Sequence, residues 1–408
     1  MTEQQSELVK IQPKTECSAN NRWFLSWLNW TGITSSGTML RTAEKRILSF
    51  LKTAYRGFYV DIGPVVGEAD KIWTISLNSE SPKTPLVMLH GMGAGVAFWV
   101  LNLDSLAVNR PVYAIDILGF GRSSRPTFTQ DAVVAENQLV KSIEEWRREM
   151  NIQQMILLGH SMGGFLATSY TISYPDRVKH LILADPWGFQ EKPKEIKAPL
   201  WIRAIGTMIA PLNPLWALRA AGPYGQWVVE KTRPDIIRKF TEVIEGDEEN
   251  VNVVAQYIHQ CNAQSPTGES AFHSMMHGFG WAKHPMLGRM HEVRHDKAIT
   301  LLYGSRSWID KSSWDLLKAA RESNYVNVQV ISGAGHHVFA DKPELFNRFV
   351  NEACAFSDSD ALTSNSPSAT EPTDETTVDG EDINNGSGET NQPATNIVND
   401  KNFVKTST

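Results

Sequence analysis

A serine hydroxyl attacks a carbonyl effectively only when a base takes its proton, and that base needs a carboxylate to orient it. Gly159-His160-Ser161-Met162-Gly163 offers such a nucleophile. The apolar run Met155–Leu158 precedes it and the helical run Phe165–Tyr174 follows, so Ser161 falls at a strand-to-helix turn. Glycines two before and two after the serine let strand and helix approach closely. At such a turn the partners follow in the order acid, then histidine. His336, in Gly335-His336-His337, lies past the run Val326–Ile331 and the loop Ser332–Gly335, and is the candidate base. His337 reads as an orienting or satisfied neighbour. Two carboxylates compete for the acid. Asp310, in the loop Gly304–Lys311 after Ile299–Tyr303, is favoured because the strand before the histidine usually supplies it; Asp185, ending the strand after the nucleophile, is the alternative. Asp296 and Asp315 read as surface residues. A developing oxyanion needs two donors, and the backbone N–H groups of Met92 and Met162 are the expected pair. Met92 belongs to Leu89-His90-Gly91-Met92-Gly93, where His90 reads as a hydrogen-bonded structural residue.

These residues need strands to carry them. Short apolar runs at Pro85–Leu89, Val112–Ile115, Met155–Leu158, Leu181–Ala184, Ile299–Tyr303 and Val326–Ile331 alternate with amphipathic stretches. That is the pattern of a largely parallel sheet. Four strand-end features in the right order predict an α/β-hydrolase fold, α/β in class, with a mostly parallel central sheet. From Gln190 to Asp296 no strand is evident, and the segment is rich in Trp, Pro, Met and His. It is expected to be a helical cap, at about 190–296, with Trp201, Trp216, Trp227, Met275, Met276 and Trp281 divided between the lining of an acyl-chain tunnel and ordinary core.

Three regions result: residues 1–61, an N-terminal extension; 62–356, the hydrolase domain with its cap; and 357–408, a disordered acidic tail. The formal net charge of −6 is unevenly placed. The tail carries ten acidic and two basic residues, leaving 37 basic against 35 acidic in the rest. A body so balanced argues against nucleic acid as partner. Three scattered cysteines predict no disulfide framework, and no metal or cofactor motif is visible.

Trp23, Trp27 and Trp30 share one helical face near the N-terminus, which suits a membrane or droplet surface; docking on the protein's own body is the alternative. Leu40, Ala43, Ile47, Leu51 and Ala54 keep helical spacing amid Arg41, Lys45, Arg46, Lys52 and Arg56, with only Glu44 opposing. That run suits anionic lipid or a solvated surface equally. The opening MTEQQSELVK lacks the apolar run of a signal peptide. A cytoplasmic location, soluble or peripherally attached, is expected.

The motifs resemble one abhydrolase-domain subfamily. Asn109-Arg-Pro-Val-Tyr-Ala-Ile-Asp-Ile-Leu-Gly-Phe-Gly-Arg-Ser-Ser-Arg-Pro126, Gly159-His-Ser-Met-Gly-Gly-Phe-Leu-Ala167, Asp185-Pro-Trp-Gly-Phe189, Gly280-Trp-Ala-Lys283 and Gly335-His-His-Val-Phe-Ala-Asp341 carry the likeness, which spans roughly Trp23 to Cys354. Its two vertebrate branches are an N-acylphosphatidylethanolamine lipase (lysophospholipase) and a lipid-droplet coactivator of triglyceride lipase. Ser161 matches the lipase branch, since the coactivator branch has Asn there. Arg306 and Gly335 match the coactivator branch, so the chain mixes features of both. The resemblance implies a serine hydrolase acting on acyl esters of phospholipids or lysophospholipids, N-acylphosphatidylethanolamine included. His336 with Asp341 forms the family's His-x4-Asp pattern, which implies acyl transfer to lysophosphatidic acid. By its place before Lys342-Pro343, Asp341 also fits a helix N-terminal residue. The alternative function the resemblance implies is a droplet-bound coactivator, with a triglyceride lipase and a droplet coat protein as partners.

Overall fold

A computed structural model of the protein describes residues 7–8, 36–192, 215–241, 243, 252–277, 280–309, 318 and 325–363. At its centre is a sheet of nine strands: β1 (Glu7–Leu8), β2 (Tyr55–Gly63), β3 (Asp70–Leu77), β4 (Leu86–Leu89), β5 (Val112–Ile115), β6 (Met155–His160), β7 (Val178–Ala184), β10 (Ala298–Gly304) and β11 (Val326–Ile331). Their order across the sheet is β1-β2-β3-β5-β4-β6-β7-β10-β11. From β5 through β4, β6, β7 and β10 to β11 every pairing is parallel. β4 and β6 are buried along their whole length, which is why they read as unbroken apolar runs instead of alternating ones.

The body's helices are α1 (Ser36–Leu48), α2 (Val100–Leu106), α3 (Ala132–Glu149), α4 (Met162–Ser173), α10 (Val338–Asp341) and α11 (Pro343–Thr363). α3 starts where Asp131 accepts the Val134 N–H at 2.9 Å. Between β7 and β10 the cap holds α5 (Trp216–Ala220), α6 (Gly225–Thr232), α7 (Pro234–Ile237), α8 (Val253–Asn262) and α9 (Thr267–Met275). A two-residue ribbon follows, β8 (Met276–His277) with β9 (Trp281–Ala282), in a stretch where the sequence reading expects no strand.

All six expected strands are present. The edge formed by β2 and β3 is an addition, joined antiparallel to β5. The domain limits change with it. β2 begins at Tyr55 and α1 packs against α8, so the compact body starts well before residue 62. At the other end α11 continues past 356 to Thr363, where the Ser357 hydroxyl meets His180 Nδ1 at 2.9 Å and bonds the Ala353 carbonyl.

α1 is no lipid-facing amphipath through its apolar side. Leu40, Ala43, Ile47, Leu48 and Leu51 are buried in the protein's own core, while Ala54 is exposed. Burying one such leucine or isoleucine contributes about 1.5–3 kcal/mol, which docking on the body already uses. Glu44, the one acidic residue amid that basic run, is buried. Its Oε1 accepts from Trp73 Nε1 at 2.9 Å and Arg122 Nη1 at 2.7 Å. The Arg122 guanidinium lies 3.4 Å from the Trp73 ring centroid, so a cation–π contact completes the lock between α1, β3 and the loop after β5.

Candidate active site

Ser161 stands between β6 and α4 at φ 53° and ψ −119°, a strained conformation for a residue with a Cβ. The turn is held on both sides. Ser161 N–H donates to the Ala184 carbonyl at 3.2 Å, and the Ser161 carbonyl accepts from Gly164, Phe165 and Trp187. A Cβ on Gly163 would lie 2.4 Å from the Leu89 carbonyl oxygen, so only glycine lets α4 press so close to β4.

The Ser161 hydroxyl donates to His336 Nε2 at 3.0 Å, and His336 Nδ1–H donates to Asp185 Oδ2 at 2.5 Å. Asp185 is fully buried, Ser161 and His336 only partly. The base thus engages Asp185, the alternative acid of the sequence reading, while Asp310, the favoured one, lies outside the described residues. The loop after β10 still contributes. Ser307 Oγ donates to Asp185 Oδ2 at 2.5 Å and Gly304 N–H approaches Asp185 Oδ1 at 3.4 Å. Through Ser307 and Gly304 that loop supplies donors to the Asp185 carboxylate. Sequence reasoning did not identify Ser307, although its place in the expected acid loop was a usable signal.

The loop expected to hold the oxyanion donors abuts the nucleophile. A Cβ on Gly91 would come within 3.1 Å of Ser161 Cβ and 2.9 Å of His160 Nδ1, so Gly91 permits that closeness. Met162 is the first residue of α4, and first-turn N–H groups have no acceptor inside their own helix. Met92 is half-buried on the facing loop. Asn262 of the cap holds this loop, its Nδ2 donating to the Gly93 carbonyl at 2.8 Å.

Two further histidines, His160 and His337, crowd the base in neutral form. His160 Nε2–H donates to the His336 carbonyl at 2.9 Å, so the residue before the nucleophile pins the backbone of the base. Burial pushes the His160 imidazole well below its ordinary pKa, with the neighbouring His336 adding to the effect. His337 is lowered the same way, chiefly by burial and then by His160. His90 is structural, as its motif suggested. It accepts the Ile117 N–H on Nε2 at 3.1 Å and donates from Nδ1 to the Gly91 carbonyl at 2.7 Å, while burial lowers its pKa.

Asp341 sits at the end of α10 and does not cap the helix that follows. Its Oδ2 accepts the Gly335 N–H at 2.9 Å, and its Oδ1 pairs with Lys239 Nζ at 2.8 Å. Arg306 fastens the same loop: its backbone N–H donates to the Ala334 carbonyl, and its guanidinium to that of Gly333. The expected tunnel lining is divided. Met275 is buried core, Trp227 is 58% exposed, and Trp281 and Met276 are half-buried. Trp201 and the Trp216 side chain, like Trp23, Trp27 and Trp30, lie outside the described residues. Trp308 was not foreseen. It is 63% exposed with its ring centroid 5.2 Å from that of His336.

Chemically the arrangement can activate a hydroxyl, keep the imidazole in one tautomer and face a developing oxyanion with backbone donors. Trp187 explains the Asp185-Pro-Trp segment beyond the acid. Its N–H bonds the Ser161 carbonyl, its Nε1 donates to the Gly280 carbonyl of the cap at 2.8 Å, and its ring packs on Phe272.

Known proteins resemble the chain in sequence and in fold. Residues 84–343 match the family model described as alpha/beta hydrolase fold. The human (Lyso)-N-acylphosphatidylethanolamine lipase is 49% identical over 325 residues, covering 78% of this chain and 92% of that protein. The pig 1-acylglycerol-3-phosphate O-acyltransferase ABHD5 is 46% identical over 346 residues, covering 83% and 96%. Among solved structures, naproxen esterase from Bacillus subtilis superposes with a TM-score of 0.53 at 17% identity, over 78% of this chain and 98% of that one. That likeness speaks for the fold alone. By fold, motif and sequence, the chain belongs to the α/β-hydrolase family.

Proposed function

We propose that this chain is a serine hydrolase of lipid metabolism that cleaves acyl esters of phospholipids and lysophospholipids, N-acylphosphatidylethanolamine among them. The observation that carries the reading is the aligned run Ser161 Oγ, His336 Nε2, His336 Nδ1 and Asp185 Oδ2 in a close relative of a phospholipid lipase. Ser161 attacks the ester carbonyl as His336 takes its proton, and Asp185 stabilises the imidazolium. The oxyanion faces the Met92 and Met162 N–H groups. Collapse of the tetrahedral intermediate breaks the ester bond, and His336 returns the proton to the departing alcohol. Water then resolves the acyl-Ser161. A lysophosphatidic acid hydroxyl in place of water gives acyl transfer, which accords with the acyltransferase name of the second relative. Asp341 takes no proton in this scheme, because both its oxygens are engaged elsewhere.

Coactivation of a triglyceride lipase at a droplet is the second reading. Arg306 and Gly335 favour it, since both meet on the loop before His336. Attachment to a droplet or membrane surface is assigned to Trp23, Trp27 and Trp30, with a cytoplasmic location following from it. One panel tests these readings. The purified protein, Ser161→Ala and the Trp23/Trp27/Trp30 triple Ala variant are assayed on a soluble short-chain ester and on lipid vesicles. Ser161→Ala is expected to lose at least about a thousandfold in kcat on both. The triple variant is expected to lose activity on vesicles alone. Hydrolysis undiminished in Ser161→Ala sinks the mechanism, and equal vesicle activity in the triple variant sinks the attachment.

A further inference from the structure

The loop Ser332–Gly335 delivers His336 to Ser161, and most of what fixes it comes from the body. His160 holds the His336 carbonyl, and Arg306 holds Gly333 and Ala334. One support comes from the cap. Asp341 accepts the N–H of Gly335, the residue immediately before the base, and its other oxygen pairs with Lys239. The Lys239 and Asp341 side chains are 15% and 17% exposed, which screens their attraction little.

Lys239 lies in the 3-10 turn Arg238–Phe240 that follows α7. Its neighbour Phe240 is buried and stacks on Phe98, ring centroids 5.4 Å apart. Phe98 belongs to the segment just past the oxyanion loop. Phe240 therefore seats this part of the cap, and Lys239 reaches from the seat to the carboxylate that fixes the base loop. When the turn leaves its place, the Asp341 carboxylate loses its counter-charge and with it part of its hold on Gly335.

We propose that Lys239 and Asp341 are positioning residues that couple seating of the cap to alignment of His336 with Ser161. This rests on the reading of Ser161, His336 and Asp185 as the hydrolytic site. It also gives the His-x4-Asp spacing a physical purpose. Four residues between the two place the carboxylate one short helix, α10, beyond the base, from where it reaches back to the preceding N–H.

The test uses full-length protein, p-nitrophenyl butyrate as a small soluble ester, and hydrogen exchange of the peptide spanning 332–337. Lys239→Met and Asp341→Asn are each expected to lower kcat about tenfold, with KM within about twofold of wild type, as a sub-ångström misplacement of a base would. The double variant falls no further, because both changes break one link. Lys239→Arg returns kcat to within about threefold of wild type. Exchange in the 332–337 peptide quickens in both single variants. Wild-type kcat in Lys239→Met, or losses that multiply to about a hundredfold in the double variant, overturn the coupling. Should Asp341→Asn not fold, kcat and exchange of the Lys239 variants decide for or against the coupling by themselves. Absence of Ser161-dependent hydrolysis in the wild type removes the catalytic reading alone, since unchanged exchange in Lys239→Met is what refutes the coupling independently.

Discussion

The strand-end loops of the body and the helices of the cap solve the same task by different means. Ser161, Asp185 and His336 are rooted next to β6, β7 and β11, whose register fixes where each loop begins. The cap helices are short; they share apolar packing with the body, as Phe240 on Phe98, and reach its loops through a few polar side chains: Arg125 to the Ser265 and Cys261 carbonyls, Asn262 to Gly93, Lys239 to Asp341. Ladder bonds fix backbone position in bulk, while single tethers fix one loop each. The body thus sets where reacting atoms lie, and the cap trims loops already placed.

The largest expected effect breaks the body side of this contrast. Asp185→Asn removes the acceptor that keeps His336 in its tautomer and stabilises the imidazolium. Its kcat on a soluble ester is expected to fall by about 10⁴. Asp310→Asn is expected to stay within about threefold of wild type. Steady-state kinetics of both variants decides, and a collapse in Asp310→Asn with activity kept in Asp185→Asn would return the acid to the loop after β10.

A smaller effect tests the cap side. Arg125 donates to the Gly119 and Gly121 carbonyls of the body and the Ser265 and Cys261 carbonyls of the cap. Arg125→Met takes a donor from all four carbonyls, of which Gly119 and Gly121 keep Gly268 N–H and Gln264 Nε2, at a cost of about 2 kcal/mol. Tm should drop by about 4 °C or more, with faster proteolytic cleavage in the cap and less than a tenfold change in kcat on a small ester. A collapse of kcat instead would mean the cap builds the site rather than trimming it.

What was legible in the sequence follows the same division. Local signals found Ser161, His336 and the Met92 loop, because each motif is contiguous and sits at the end of a buried apolar run. The acid stayed divided between two residues because both strand ends carry a plausible carboxylate. Only a tertiary contact, His336 Nδ1 on Asp185, favours Asp185 as the partner. Lys239, Asn262 and Ser307 carry no motif of their own; they matter through contacts across more than a hundred residues of chain, which periodicity cannot report. α1 deceived in another way. A helix with one apolar and one basic face fits a lipid surface and a protein core alike, and what settled it was the neighbouring α8 and β3.

Glu44 on α1 sharpens that last point with the smallest expected effect. Burial pushes its carboxyl up, to about 8, against an ordinary value of 4.5, although Arg122 pulls the other way. Its Oε2 is buried and has no partner among the described residues, which suits a carboxyl that keeps its proton. Between pH 4.5 and 8 the unfolded chain has released this proton while the folded chain retains it. The unfolded state then binds fewer protons, so this contribution to stability is full below pH 4.5 and is lost as pH rises through 8. Glu44→Gln keeps an acceptor for Trp73 and Arg122 but cannot ionise. Its Tm relative to wild type should therefore climb from pH 5 to pH 8.5, by about 2–5 °C. A difference that stays flat over that range would mean that Arg122 holds Glu44 ionised throughout, and that α1 is clamped to β3 by charge rather than by a buried neutral acid.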